Sequence, residues 1–456
     1  MSQIKKRSNW EIAAFAAPAA PLLALSLPTI IFLPPYFASH LGIPLGVVSA
    51  IFLGARVFDL LIDPTIGNAQ DRTKTAFGRR RLWLAASCAP LMFLIWWVFL
   101  GLPPGAAQWQ ATVAVFLLYM IGSAMSIAHL GWAGELIPTY HGRTHVLGAV
   151  QTASMIGQVL MLVIAGVAAQ TAAAAGNTAA VHAMGWTLIF LLPATTLLAL
   201  LVREEQRPPQ PHLTLRESLR VLVNNKTAQR VLLPDLLLGV AQGVSGGLFL
   251  FYFQFVLGFE RESQTLLAIY FVAGLAGVPI WWIAARKFGK HRALQAAMIY
   301  TAVTTALLLI LPPKNFLVVA SFMAVAGLSQ GGGVLLTRTL MADVVDEDEL
   351  ACGARRSGLY FGLLLTTSKL GIAAGPITYA ILGLVDFNAE EGARNSPLAL
   401  GVLSALFIGV PILLCLLTAW SLQRYPLDET RQRQLAAAIE ARHAANRENT
   451  LGPVTK

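Results

Sequence analysis

The sequence predicts an all-α membrane protein with twelve transmembrane helices. Of its 456 residues, 56% are hydrophobic and only 12% are charged, a composition typical of proteins that cross a membrane several times. Apolar runs of about 18 residues or more, long enough to span a bilayer, recur along the chain. The helices are predicted at residues 13–38, 43–66, 82–101, 107–135, 145–170, 181–202, 229–257, 263–285, 292–312, 315–340, 355–384 and 398–421.

The distribution of lysine and arginine predicts the orientation in the membrane. If the N-terminus is cytoplasmic, most of the 33 basic residues fall in cytoplasmic loops and in the tail, as the positive-inside rule requires. An even number of helices then places both termini in the cytoplasm, and we expect an inner-membrane location. The net charge of +10 is explained by contact with anionic membrane lipids, so no nucleic acid is expected as a partner.

Two halves are indicated by a linker and by a repeat. Residues 203–228 are charged and proline-containing, and they separate helices six and seven. Residues 77–86 (FGRRRLWLAA) resemble residues 288–297 (FGKHRALQAA), and both segments are basic loops that enter a helix on the same side. We therefore predict an N-terminal six-helix bundle (1–202), a cytoplasmic linker (203–228), a C-terminal six-helix bundle (229–421) and a cytoplasmic tail (422–456).

Charged residues inside apolar helices indicate an ion site. Arg56, Asp59 and Asp63 share one face of helix two, and Lys369 lies within helix eleven. A charge in the membrane interior is costly, so such residues face one another or a water-filled cavity. We predict that these four residues form a cation-coupling site. The alternative is a structural charge cluster that holds the helices together.

A second set of charged residues flanks the helices on the cytoplasmic side. Acidic and basic residues alternate there in short loops, where they serve topology and can also form salt bridges across a moving interface. We predict a cytoplasmic gate formed by Asp71, Arg72, Glu135, Arg143, Asp346, Arg355 and Arg356.

These segments resemble one transporter family. The residues concerned are 59–73 (DLLIDPTIGNAQDRT), 77–80 (FGRR), 134–144 (GELIPTYHGRT), 341–361 (MADVVDEDELACGARRSGLYF) and 369–371 (KLG). Together they resemble the glycoside–pentoside–hexuronide:cation symporters, whose best-known member is the melibiose permease. The resemblance implies a major facilitator fold that works by alternating access. It also implies that Asp59 and Asp63 hold the coupling cation and that Lys369 reaches the same site.

The sequence departs from this family where sugar-transporting members bind their substrate. Helix one has no ionisable residue, and the arginine that the resemblance implies early in helix five is replaced near Val150 or Gln151. Helix four lacks the carboxylate that completes a sodium site and has Ser126 and His129 instead.

Candidate solute contacts are His129, Trp132, Tyr252 and Gln254, each of which has a packing role as its alternative. Asp235, near the start of helix seven, is interpreted as a helix-capping or pairing residue near the cytoplasmic end.

We expect a secondary active transporter that carries a sugar or glycoside-like solute together with H⁺. Two cations beside two carboxylates leave little negative charge to hold Na⁺, whereas a proton needs only one carboxylate. One alternative is a lipid-like or amphipathic solute on the same fold, and another is a non-transporting membrane sensor. An enzyme is not expected, since no nucleophile, metal-ligand or phosphate-binding motif is present. We expect a monomer among membrane lipids, with no cofactor other than the coupling ion, H⁺ or else Na⁺.

Overall fold

A computed structural model describes residues 8–136, 140–171, 176–202, 225–352, 357–390, 392–423 and 425–427, with 431, 434, 435 and 438. Most of the predicted linker lies outside the described residues, as do Arg355 and Arg356. The backbone of three further gate residues is described, but their side chains lie outside the described part: Asp71, Glu135 and Arg143.

The described residues form twelve membrane crossings. They are α1 (Asn9–Ser39), α2 (Leu45–Arg72), α3 (Arg79–Gly101), α4 (Gln108–Leu136), α5 (Tyr140–Thr171), α6 (Gly176–Leu200), α7 (Lys226–Val256), α8 (Ser263–Phe288), α9 (Lys290–Ile310), α10 (Phe316–Gly327 and Gln330–Cys352), α11 (Ser357–Ile372 and Gly375–Leu384) and α12 (Pro397–Ser421). Eleven of them are long and apolar enough to span a membrane, and in α11 each of the two helical segments is too short to do so alone. The predicted all-α fold is therefore confirmed.

Two helices are longer than their apolar runs. The sequence predicts that helix two ends at residue 66 and helix ten at residue 340, but α2 continues to Arg72 and α10 to Cys352. Apolar content marks where a helix leaves the membrane, whereas Gln, Glu, Arg and Leu beyond that point still favour helical backbone. These extensions carry charged residues of the predicted gate.

Prolines interrupt two crossings. In α1 a π-helical turn spans Pro28–Phe32, and α11 has a turn between Ile372 and Gly375, with Pro376 entering its second segment. Proline has no backbone N–H and clashes with the preceding helical turn, so it weakens or kinks a helix at that point. The turn in α11 comes just after Lys369 on the chain.

The packing separates the crossings into two sets of six. Within the first set, α2 packs on α4, α1 on α5 and α3 on both α4 and α6; within the second, α7 packs on α11 and α12, α8 on α10, and α9 on α12. The most extensive contacts between the sets in the described part of the chain join α1 with α7, α2 with α11, and α5 with α8. These helices line the interface where the two bundles meet.

Direct contacts close the predicted outer end of this interface. The Ser49 hydroxyl donates to the carbonyl oxygen of Pro376 at 2.6 Å, and the Gln170 side-chain amide donates to the Thr265 hydroxyl at 2.6 Å. Each bond joins one bundle to the other.

Glycines bring α7 and α11 into backbone contact. A methyl group at Gly243 would lie 2.5 Å from the carbonyl oxygen of Ile372, and one at Gly371 would lie 2.6 Å from that of Leu236. Any larger residue at either position would push the helices apart. This contact fixes α11, which carries Lys369, against α7, which carries Asp235.

Candidate functional site

Three intramembrane charges meet at the centre of the bundle interface. The Lys369 ammonium lies 3.3 Å from Oδ2 of Asp59 and makes a short contact with Oδ2 of Asp63. The two aspartates are one turn apart on α2, so one ammonium from α11 reaches both. The structure thus brings together the three residues that the sequence singles out. Their role in ion coupling stays a prediction.

The two carboxylates have different surroundings. Asp59 is buried, and its Oδ1 accepts a hydrogen bond from the Ser123 hydroxyl of α4. Asp63 is partly exposed, yet its Oδ1 is buried and has no hydrogen-bond partner among the described residues. A buried, unpaired carboxylate oxygen is unfavourable, and protonation turns it into a hydroxyl that can donate. Ser123 is the helix-four contact that sequence reasoning missed by naming Ser126 and His129.

Arg56 lies apart from this cluster. Its guanidinium carbon is 4.7 Å from the centre of the Tyr119 ring, a cation–π contact, and it forms no ion pair with Asp59 or Asp63. The spacing on α2 was read correctly, but the long arginine side chain turns to α4 instead of the carboxylates. A role of Arg56 in the cation-coupling site stays a prediction, and the structure adds its contact with Tyr119.

Arg56 and Tyr119 line a cavity of about 270 Å³ between the two bundles. Most of the other lining residues are apolar, aromatic or glycine: Thr29, Ile30, Pro34, Phe52, Gly243, Gly247, Ile372, Gly375, Pro376 and Tyr379. This cavity adjoins the ion cluster through α2 and offers few hydrogen-bonding groups.

A larger cavity of about 400 Å³ lies in the C-terminal bundle, bounded by α7, α10 and α11. Oδ2 of Asp235 accepts hydrogen bonds from the hydroxyls of Thr367 and Ser368, both at 2.7 Å. Arg338 crosses to the other bundle, where Nη1 donates to Oε1 of Gln151 at 2.9 Å. Asp235 therefore lines a cavity and pairs with two hydroxyls, which is one of the two roles that the sequence suggests; the capping role falls to Asn225.

Sequence reasoning also missed Arg338. The available signal was its position inside the predicted helix 315–340, where an arginine is as unusual as Lys369 in helix eleven. Its closeness to the predicted cytoplasmic end made it look like an ordinary flanking charge.

The other predicted solute contacts lie in packed regions. His129 is 2% exposed, donates from Nε2 to the Phe15 carbonyl oxygen at 2.8 Å, and stacks on the Phe15 ring. Trp132 meets the same ring edge-on, and Tyr252 stacks on Phe407. This geometry favours the packing alternative for all three.

The Gln254 amide nitrogen is buried without a hydrogen-bond partner in the described part of the chain, in the predicted outer part of α7. It does not line either of the two cavities, so the structure gives this residue no contact with the candidate site.

One polar contact in each bundle joins helices near their predicted inner ends. Lys290 and Asp343 form an ion pair at 2.6 Å, and Arg80 donates to Gln70 at 3.0 Å. Among the predicted gate residues, Arg72 is exposed and Asp346 is half-buried, with interactions of its own. The gate itself stays a prediction.

Comparison with known proteins identifies the family. Residues 14–429 match the model of a family described as MFS/sugar transport protein. The inner membrane symporter YicJ of Escherichia coli K12 is 25% identical over 406 residues, covering 86% of this chain and 85% of the relative. The human sodium-dependent lysophosphatidylcholine symporter 1 is 25% identical over 445 residues, covering 89% of this chain and 80% of the relative.

The fold is shared with a solved transporter structure. The xylose transporter XylE from E. coli, in a partially occluded inward open conformation, matches with a TM-score of 0.65 at 12% identity, covering 92% of this chain and 98% of that one. These proteins are membrane transporters, so the prediction that the chain is no enzyme is confirmed. This chain belongs to the MFS/sugar transport protein family of major facilitator transporters, in agreement with its resemblance to the glycoside–pentoside–hexuronide:cation symporters.

Proposed function

We propose that this transporter carries a sugar or glycoside-like solute together with H⁺ by alternating access. The observation that supports coupling is the ion pairing of Lys369, in one bundle, with Asp59 and Asp63 in the other. When the bundles rock, the distance between the ammonium and the carboxylates changes. A change in carboxylate charge then shifts the balance between the two orientations.

The site suits a proton better than a sodium ion. A sodium ion needs several oxygen ligands, and the contacts of Asp59 and Asp63 in the described part of the chain are one serine hydroxyl and the Lys369 ammonium. The ammonium already occupies the place between the carboxylates. A proton needs no such space, because it can bind the unpaired Oδ1 of Asp63.

Orientation and gating complete the proposal. With both termini in the cytoplasm, the protein lies in the inner membrane and works as a monomer. The contacts at Ser49 and Gln170 then close the outside. The predicted gate residues, Glu135 among them, would form the corresponding closure inside when the cavity opens outward.

A lipid-like solute is the second candidate. The apolar lining of the 270 Å³ cavity suits an acyl chain, and the human relative is named as a lysophosphatidylcholine symporter. The two candidates share the fold and differ only in the solute.

The test is uptake into proteoliposomes of labelled methyl β-D-glucopyranoside and of labelled lysophosphatidylcholine. Each solute is measured with an imposed pH gradient, inside alkaline, and separately with a sodium gradient. We expect the pyranoside to accumulate with the pH gradient. Asp63→Asn should abolish accumulation but keep downhill exchange, because the translocation pathway remains while the proton site is lost.

The matched control is Asp386→Asn, which removes an exposed carboxylate from the turn after α11. This variant should transport like the wild type. Accumulation that follows only the sodium gradient would overturn the proton assignment, and uptake of the lysolipid alone would overturn the sugar assignment.

A further inference from the structure

Two histidines from different helices meet at the predicted outer end of the N-terminal bundle. His40 directly follows α1, and His182 lies within the first two turns of α6. Their ring centres are 6.4 Å apart, and the two ring planes are nearly perpendicular. The two residues are far apart on the chain, so no spacing motif in the sequence marks them as a pair.

The Tyr36 ring supports both imidazoles. It stacks on His40 with the ring centres 4.9 Å apart, and it meets His182 edge-on at 6.1 Å. Tyr36 is 1% exposed, so packing holds its ring in place, whereas both histidines are half-buried and stay open to solvent. The histidine pair therefore rests on a fixed ring on one side, and a small ion can reach it from solution.

Each imidazole uses one ring nitrogen for a hydroxyl contact. Nδ1 of His40 lies 3.4 Å from the Thr178 hydroxyl, and Nε2 of His182 lies 3.4 Å from the Tyr36 hydroxyl. The other two nitrogens, Nε2 of His40 and Nδ1 of His182, have no hydrogen-bond partner among the described residues. Metal-binding histidines have this arrangement: an oxygen holds the N–H of one ring nitrogen, and the other nitrogen binds the metal.

The spacing of the two rings suits one metal ion. An imidazole nitrogen binds zinc at about 2.0–2.1 Å, so two ring centres that share one zinc ion lie about 5–6.5 Å apart. The observed 6.4 Å falls at the upper end of this range, so a small rotation of either side chain is enough to reach a shared ion. Imidazole suits Zn²⁺, Cu²⁺ and Ni²⁺, whereas Mg²⁺ and Ca²⁺ prefer oxygen ligands.

We propose that His40 and His182 bind one divalent transition-metal ion, such as Zn²⁺, and that this ion ties the end of α1 to α6. Water completes the coordination on the solvent side. Neither histidine pairs with the charges of the ion cluster or lines either cavity, so the site is independent of the proposed symport. A metal that binds only the folded chain stabilises it, here at the predicted outer end of the N-terminal bundle.

The first test is calorimetric titration of Zn²⁺ into the full-length protein, purified without a histidine tag. We expect one site per chain that is weakened about 100-fold or more in both His40→Gln and His182→Gln, because losing a ligand costs more than losing a supporting hydrogen bond. The matched control is His291→Gln, at the start of α9, which should bind like the wild type.

The titrations are repeated in a His141→Gln/His145→Gln background, so that zinc held by these two histidines does not enter the count. The site of His40 and His182 should persist there with unchanged affinity. Zn²⁺ should also raise the midpoint of thermal unfolding in this background, and it should not do so once His40 or His182 is replaced.

A further measurement uses Cu²⁺ as the probe and needs no substitution of His40 or His182. The electron paramagnetic resonance spectrum of one equivalent of Cu²⁺ in the His141→Gln/His145→Gln background should show coupling to two imidazole nitrogens. Excess Mg²⁺ or Ca²⁺ should leave that spectrum unchanged, because neither ion competes for imidazole.

The proposal is overturned if the protein binds no Zn²⁺, or if His40→Gln and His182→Gln bind it like the wild type. It is equally overturned if the Cu²⁺ spectrum shows a single imidazole nitrogen, or if Zn²⁺ leaves the unfolding midpoint unchanged. Loss of zinc binding in His291→Gln as well would show non-specific binding and would count against the site.

Discussion

Replacing Lys369 by methionine tests whether one ammonium holds two carboxylates between the bundles. Methionine keeps the apolar stem of the side chain and removes the charge. Exposed ion pairs contribute about 0–1 kcal/mol, whereas breaking a buried pair costs about 3–5 kcal/mol. The Asp59 side chain is 4% exposed and that of Lys369 is 38% exposed, so solvent screens the pair only in part. We expect Lys369→Met to lower the free energy of unfolding by about 2–3 kcal/mol, between these limits.

The assay is reversible unfolding of the purified protein in mixed micelles, repeated in the Asp59→Asn background. There the same substitution should cost about 1 kcal/mol or less, because one carboxylate has already been neutralised. Sodium ions should stabilise Lys369→Met more than the wild type, since the variant leaves two carboxylates without their cation. Lys287→Met, at an exposed lysine near the end of α8, is the control. Equal costs in both backgrounds would refute the shared pairing.

Three further predictions concern other contacts. Gly371→Ala should destabilise the protein by about 1–3 kcal/mol through overpacking against α7. Gly362→Ala, on the same helix but with open space around it, should leave the stability unchanged. Thermal unfolding of the two variants and the wild type measures the difference. Asp343→Asn should cost about 1–2 kcal/mol in the same assay because the Lys290 ammonium loses its partner carboxylate, and an unchanged transition would refute that pairing. Burial lowers the pKa of His40, just beyond α1, below 6.5, so the unfolded chain binds a proton more readily. Stability should therefore fall as the pH drops through about 6.5, and unfolding curves of His40→Gln should lack that part of the pH dependence.

The clustering of three intramembrane charges was predictable because charged residues are rare in apolar helices. Asp59, Asp63 and Lys369 stand in the middle of apolar runs, where desolvation makes every charge conspicuous. The same reasoning failed for Asp235 and Arg338, which lie near predicted helix ends where charges are common. Asp235 and Arg338 face one cavity because of the way α7, α10 and α11 are rotated against one another. Hydropathy does not predict the rotation of one helix against another.

The sequence also could not predict which side chains contact one another. Arg56 shares a helical face with Asp59, but its length lets it reach Tyr119, which a spacing argument cannot anticipate. His129 was open between two roles until its contact with the Phe15 carbonyl could be seen. The ends of α2 and α10 were misplaced because hydrophobicity reports the membrane boundary and not the end of the hydrogen-bonded helix.

The backbone contact between α7 and α11 has a consequence for uncoupled ion flow across the membrane. With Gly243 and Gly371 against the neighbouring backbone, α11 cannot slide or rotate without moving α7 as well. Thr367, Ser368 and Lys369 therefore keep fixed places relative to Asp235 while the whole bundle tilts. Under the proposed symport, a loose joint here would let the ion cross without its cargo. We expect that tightness of the cargo-to-ion ratio is set by these two glycines as much as by the charges that they position.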